Sequence, residues 1–267
     1  MCFKSSTLAI LALACAIPTA GATSLAGVVH QWNFDDPDNL GAPTVGGVTL
    51  NPHNGPTAGG GGGPLSPSSL DTSSGGILRV GAEGSLDLAG DFSYSLWARQ
   101  TGGGQWLKMF AHNTSPGGSF AQAEIDNQGG MVWNVRVSGN NAEVHTAPFL
   151  GDGNWHHLAL YREGGTVGGY IDGAPITLGN FGEQQNLGAG EQLTGTTGFA
   201  IGAEVNASNH FRGLIDDFRI YDRALSEADA AQLFSEGPGF VVPEPTSSVL
   251  AVVGLLSLGL VRRRRQD

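Results

Sequence analysis

Three groups of side chains in this 267-residue chain have the types and spacing to do chemistry. Glu124-Ile125-Asp126 places two carboxylates two residues apart, on one face of any β-strand. Retaining glycoside hydrolysis needs two carboxyl groups about 5–5.5 Å apart, and same-face spacing supplies that separation. Asn127, Gln128 and Gly129 follow, however, and a strand running into a turn at Asp126–Gly130 accounts for both carboxylates without catalysis. His156 and His157 are adjacent, so on a strand they point to opposite faces and cannot share a metal or act as one dyad. Trp155 and one of these histidines are expected to pack on the core or its rim. Asp216 lies in Leu214-Ile215-Asp216-Asp217-Phe218-Arg219-Ile220, where simple alternation puts Leu214, Asp216, Phe218 and Ile220 on the core face. A carboxylate among apolar neighbours must be hydrogen-bonded or metal-bound, so Asp216 either caps nearby backbone amides or ligates a cation. No Ser-His-Asp order, His-Glu-x-x-His motif or metal-cluster spacing occurs elsewhere, and no catalytic residue is assigned.

The elements that must position these groups are β-strands. Glycine supplies 43 residues, about twice ordinary usage, but with no three-residue period and only 13 prolines a collagen helix is excluded. With 40% apolar residues the chain can bury a core, which excludes wholesale disorder, and a net charge of −11 argues against nucleic-acid binding. Short β-rich runs predict strands at Val28–Phe34, Ile77–Val80, Phe92–Arg99, Trp106–His112, Phe120–Ile125, Met131–Val137, Trp155–Arg162, Val167–Ile171, Gly198–Glu204 and Phe211–Tyr221. Turns such as Asp126–Gly130 and Asp172-Gly173 supply the positive-φ positions between them. Many strands without interleaved helices predict an all-β sandwich of two antiparallel sheets within residues 23–238. Pro52–Gly76, with its run Gly59–Gly63, is expected to be a flexible surface loop that no sheet can use. One short C-terminal helix is signalled by Ser226 with Asp229 three residues on, and Gly237-Pro238 stops it.

Several motifs carry a family resemblance. Trp155-His156-His157-Leu158-Ala159-Leu160, followed by Gly169-Tyr170-Ile171-Asp172-Gly173, resembles a hairpin of LamG and pentraxin-like domains, with Gly169 where that pattern has an apolar residue. Gly213-Leu214-Ile215-Asp216-Asp217-Phe218-Arg219-Ile220-Tyr221, with Ala224-Leu225-Ser226, resembles their closing strand and helix. Trp32-Asn33-Phe34-Asp35 and Phe92-Ser93-Tyr94-Ser95-Leu96-Trp97 fit the same pattern, so the resemblance spans about Val28 to Phe234. It implies a concanavalin A-like jelly-roll sandwich. It also implies a Ca²⁺ where the first and last strands meet, with Asp216 and Asp35 (or Asp36) among its ligands and carbonyls or water completing the shell. Endo-glucanases on the same jelly roll carry a further Glu after the Glu-x-Asp pair; its absence here makes a glycoside hydrolase the weaker reading. The chain is therefore expected not to be an enzyme. The ligand-binding residues stay unknown, with Trp106, Trp133 and Tyr170 as candidates to stack on sugar rings.

Both ends read as processing segments. Residues 1–22 resemble a secretory signal, with Lys4, the apolar run Leu8–Ala14 and the small-residue site Ala20-Gly21-Ala22; a lipoprotein reading at Cys15 is the rival. Cys2 and Cys15 both lie there, leaving the mature chain without thiols. Residues 239–267 hold Pro243-Glu244-Pro245, an apolar stretch at 247–261 and Arg262-Arg263-Arg264-Arg265. The arginines put the tail on the cytoplasmic side of an inner membrane. The three parts together resemble the PEP-CTERM sorting signal of Gram-negative bacteria, which implies cleavage by an exosortase-type transpeptidase and delivery to the cell surface or extracellular matrix. The body at residues 23–238 then keeps 8 basic and 22 acidic residues. The expected function is a non-catalytic LamG-like domain binding a glycan or an extracellular protein, with an inert spacer as the alternative and no nucleic-acid partner.

Overall fold

The structure, a computed structural model, describes residues 25–63, 66–115 and 118–238. The expected signal segment at 1–22 and the sorting segment at 239–267 lie outside the described residues. In chain order the first strands are β1 (Val28–Trp32), β2 (Asn51–His53), β3 (Thr57–Gly63), β4 (Ser66–Asp71), β5 (Ile77–Val80) and β6 (Phe92–Gln100). Then come β7 (Leu107–Thr114), β8 (Ser119–Ile125), β9 (Met131–Val137), β10 (Asn140–Thr146) and β11 (His156–Glu163). The chain closes with β12 (Thr166–Ile171), β13 (Ala174–Pro175), β14 (Leu178–Gln185), β15 (Thr196–Ile201), β16 (Gly213–Tyr221) and helix α1 (Glu227–Glu236).

These strands form two antiparallel sheets. Sheet A runs β13-β12-β11-β6-β16-β4-β3 with β1 also on β16; sheet B runs β14-β10-β9-β8-β7-β15-β5-β2. Inward side chains of both sheets meet in one core in which Trp32, Tyr94, Phe110, Trp133, Phe199 and Phe218 are fully buried. Edge-to-face and tilted pairs, such as Tyr94 with Trp133 at 5.7 Å and Phe110 with Phe218 at 5.2 Å, interlock the two layers. His112 is also inside. Its Nδ1 lies 2.7 Å from the Tyr94 hydroxyl and its Nε2 lies 2.9 Å from Thr196 Oγ1. Because Thr196 donates its own hydroxyl to Asp87, it must accept from His112, which fixes the Nε2–H tautomer. Burial drives the His112 pKa down to about 3, so the ring is neutral in the folded protein.

Helix α1 forms as the sequence predicts. Ser226 and Asp229 make a reciprocal capping box, and Gly237 ends the helix at φ 77°. Ala230 and Leu233 pack with Tyr221, Leu225 and Ala159 in a second cluster that covers part of the outer face of sheet A. No helix among the described residues is long and apolar enough to cross a membrane.

Pro52–Gly76 is not the free loop expected from its composition. It holds β2, β3 and β4, and the polyglycine run is an edge strand paired with β4. The glycines serve close approach: a Cβ on Gly61 would fall 1.6 Å from the Ser66 carbonyl oxygen, and one on Gly59 would lie 2.6 Å from Leu214 Cδ2. Strand β14 also carries no apolar signal, being exposed or half-buried along its length, whereas β10 alternates only weakly, with Ala142, Val144 and Thr146 buried between Asn141, Glu143 and His145.

Candidate functional site

The closing strand β16 has a divided edge. Its first half pairs with β4 through Leu214 and Ile215, its second half with β1 from Phe218 to Tyr221. Between them the register against β6 shifts and Asp217 takes φ 46°. This bulge changes the alternation expected from sequence: Ile215, Phe218 and Ile220 reach the core, whereas Leu214 is half-buried beside Gly59. Asp216 therefore does not share a face with Phe218 and Ile220. It is nevertheless fully buried, accepting from the Ser66 hydroxyl and, at 2.8 Å, from the Asp217 amide. Asp217 in turn is held by Gln31 at 2.7 Å and by Arg219, whose Nη2 lies 2.5 Å away. Burial alone would lower the Arg219 pKa, but the Asp217 carboxylate reverses this and keeps the guanidinium charged.

Asp35, on the chain leaving β1, comes to the same place. Its Oδ2 accepts from Asn33 at 2.7 Å, while its Oδ1 is buried without a hydrogen-bond partner. Burial first, then the nearby Asp217 carboxylate, raise its pKa; the Ser68 amide and the Ser66 hydroxyl pull the other way. The two carboxylates expected to ligate Ca²⁺ thus meet around Ser66. Asp216 has hydrogen-bond partners for both oxygens, and among the described residues no three His, Cys, Asp or Glu side chains form a metal-binding group.

The two adjacent histidines split as alternation requires. His157 is buried, bonded to Ser95 Oγ at 3.0 Å and 5.3 Å from the Trp97 ring; burial, aided by Arg219, lowers its pKa to about 3. His156 bridges Asp172 at 2.7 Å and Asp152 at 3.1 Å through its two ring nitrogens. Burial would lower its pKa, but the hydrogen bonds and charges of these carboxylates outweigh that and raise it. Asp172, at φ 52° in its turn, also accepts the His157 amide at 2.8 Å, tying the start of β11 to the end of β12. The motif is a strand clasp.

The outer face of sheet B carries the groups with chemistry to spare. Glu124 projects there from β8, but it is paired with Lys108 of β7 at 2.6 Å and accepts from Gln122 at 3.1 Å. Glu204 reaches the same ammonium at 3.4 Å. Lys108 is a buried cation in a strand otherwise made of core residues, and sequence reasoning passed over it; its signal was a lone Lys inside Leu107–Phe110. Asp126 does not stand beside Glu124 on the strand. It lies past the end of β8, where its Oδ1 accepts the amides of Gln128 at 2.8 Å and Gly130 at 2.9 Å, and so shapes the turn. In the next strands Asn134 and Asn141 donate to Glu143 at 2.7 and 3.0 Å, and His145 packs on the exposed ring of Phe181.

The three aromatic candidates separate cleanly. Trp133 is wholly buried, its indole N–H donating to the Tyr161 carbonyl, so it cannot stack on a ligand. Tyr170 is half-buried against Tyr161 and the α1 cluster. Trp106 is 41% exposed and sits at φ 60°, a left-handed backbone that bulky residues rarely adopt. It is held there by its backbone N–H, which donates a hydrogen bond to the Ile125 carbonyl at 2.5 Å, directly before Asp126.

A family model described as the concanavalin A-like lectin/glucanases superfamily matches residues 72–231. Domain 4 of AbnA, a GH43 extracellular arabinanase from Geobacillus stearothermophilus solved in complex with arabinotriose, is similar at 21% identity and TM-score 0.55. That match covers 77% of this chain and 97% of the domain. The binding domain of Paraclostridial Mosquitocidal Protein 1 is similar at 15% identity and TM-score 0.56, over 78% of this chain and 52% of that one. A sialidase of Trypanosoma rangeli is similar at 15% identity and TM-score 0.57, over 79% of this chain but only 33% of that one.

Proposed function

The chain belongs to the concanavalin A-like lectin/glucanases superfamily, and on that basis we propose that it is an exported, non-catalytic surface or matrix protein whose sandwich binds a glycan. The observation that carries this reading is Trp106, an exposed indole fixed in a strained backbone immediately before β7. Flat aromatic rings next to hydrogen-bonding side chains suit sugar rings, which present apolar C–H faces and polar rims. Similar sandwiches occur in a domain solved with arabinotriose and in the binding domain of Paraclostridial Mosquitocidal Protein 1, which supports a binding role. Glu124 is engaged by Lys108 and Asp126 by its turn, which favours binding over hydrolysis. Glycan-array binding lost at least tenfold in Trp106→Ala is the expected result. Hydrolysis of a β-glucan that disappears in Glu124→Gln would replace this reading with the hydrolase.

Delivery is the second part of the proposal. The leader at 1–22 would direct export through the inner membrane of a Gram-negative bacterium. The Pro243-Glu244-Pro245 segment, the stretch at 247–261 and Arg262–Arg265 would then route the protein to an exosortase-type transpeptidase. Mass spectrometry of the surface form should find a C-terminus near residue 243, and Glu244→Ala should leave the tail attached. Ca²⁺ belongs to the same proposal: Asp35 Oδ1 is a buried oxygen without a partner, and Asp216 is its neighbour across Ser66. These two, with backbone carbonyls and water, would hold the ion and tie the first strand to the last. A melting temperature raised by Ca²⁺ and returned by EDTA, with no response in Asp35→Asn, is expected; no response in the native chain removes the metal.

A further inference from the structure

The connection from β6 to β7 and the turn that leads into β11 line a cleft of about 430 Å³, within the usual range of ligand pockets. Arg99, near the end of β6, lies on one side, and Gly151, Asp152 and Gly153 lie on the other. The Arg99 Nε donates to the Gly153 carbonyl at 2.7 Å, which holds the guanidinium against the far wall. Its two terminal amino groups have no hydrogen-bond partner among the described residues, so a fork of N–H donors stands idle at a fixed position. Such a fork matches a carboxylate, which it can hold through two parallel hydrogen bonds.

The charges point the same way. In a body of 22 acidic and 8 basic residues, Lys108, Arg162, Arg219 and Arg223 each pair with a carboxylate. Among the described residues Arg99 and Arg212 pair with none, and both bond backbone carbonyls of this cleft instead. Arg212 donates to Gly103 at 2.9 Å. Asp152 is the one carboxylate among the lining residues, and both of its oxygens are already taken by Asn154 and His156. Trp106 follows three residues after Gly103, at most about 11 Å along the chain, so one short oligosaccharide can reach from the guanidinium to the exposed indole.

We propose that this cleft takes the carboxylate of an acidic sugar unit, a uronate, with the Arg99 fork on its two oxygens and Trp106 under a neighbouring ring. The inference rests on the glycan-binding reading above and names its ligand class. Gln100 spends its amide N–H on the Gly102 carbonyl, which leaves its side-chain oxygen to accept from a hydroxyl of the same unit. A neutral sugar offers the fork only hydroxyls, which accept weaker hydrogen bonds than a carboxylate does.

The test is calorimetric titration of the full chain with oligogalacturonate, its methyl ester, a cello-oligosaccharide and polyglutamate. EDTA is present throughout, so that no carboxylate binds through Ca²⁺. Oligogalacturonate should bind at least tenfold more tightly than its methyl ester, which keeps the rings and loses the charge. Arg99→Gln should erase that difference. Arg99→Lys should restore only part of it, because an ammonium keeps the charge without the fork. Trp106→Ala should weaken the acid and the ester alike. The acid-to-ester ratio of the native chain tests the proposal even if an Arg99 variant folds poorly. Oligogalacturonate binding that is unchanged in Arg99→Gln but lost in Trp106→Ala overturns the subsite and leaves glycan binding standing. Ester or cello-oligosaccharide binding as tight as that of the acid does the same. Polyglutamate binding as tightly as oligogalacturonate overturns the saccharide class in favour of a general anion patch. No binding by any of these saccharides overturns the subsite together with the reading beneath it.

Discussion

Both sheets bury charge near the middle of their outer faces, but the two faces treat it differently. On sheet A, Arg219, Asp217, Gln31 and Asp216 bond one another around the β16 bulge, and helix α1 covers the neighbouring surface. On sheet B, Lys108, Glu124 and Glu204 hold one another, and no described helix lies over them. The sheet A network is not fully satisfied, since Asp35 Oδ1 beside it is buried without a hydrogen-bond partner. Buried charge therefore does not by itself mark a site, and what separates the two faces is the helix that covers one of them.

The contrast breaks most visibly at Arg219. Arg219→Ala leaves Asp217 as an uncompensated buried charge and should cost about 3–5 kcal/mol in urea denaturation. Next in size is acid sensitivity. His112 and His157 have folded pKa values of about 3, below the unfolded 6.5, so their contribution is complete above pH 6.5 and is lost as pH falls towards 3. Stability should drop by about 1.4 kcal/mol per pH unit for each histidine within that window, and His112→Gln should flatten the profile.

Leu233→Ala should cost about 2–3 kcal/mol by opening the seam between α1 and sheet A, read as a lower melting temperature with unchanged glycan affinity. Smallest is His156, whose folded pKa is raised by Asp172 and Asp152. Its stabilisation is complete below pH 6.5 and fades as pH rises through the folded value. Half-exposure keeps it under about 1 kcal/mol, so His156→Gln should differ from the native chain at pH 6 and match it at pH 9.

Much of the sandwich was legible because strands with one inward face alternate. Ile77–Val80 and Met131–Val137 were read to the residue, and Ser226 with Asp229 gave the helix start. Strands β3, β4 and β14 escaped because glycine, serine and amide side chains carry no periodicity, and β10 because its inward positions are only Ala142, Val144 and Thr146. Asp216 was rightly singled out as a buried carboxylate, but its face was misjudged: a bulge at Asp217 is a backbone event that alternation cannot foresee. The carboxylates of sheet B were found, whereas Lys108 was not, because a lysine at a strand position reads as solvated.

The divided edge of β16 also sets a clock. Val28 pairs with Tyr221, so the first strand has no place to go until the last one exists. At a synthesis rate of roughly 5–20 residues per second, that wait is on the order of ten to forty seconds. Throughout it the emerging chain holds an unpaired β1 and an unfilled slot in sheet A, with Trp32 exposed to whatever surrounds it. Contacts of such long sequence separation form slowly even afterwards. A protein built this way remains threadable until its final strand arrives, and anything that must pull it through a narrow passage has that interval in which to act.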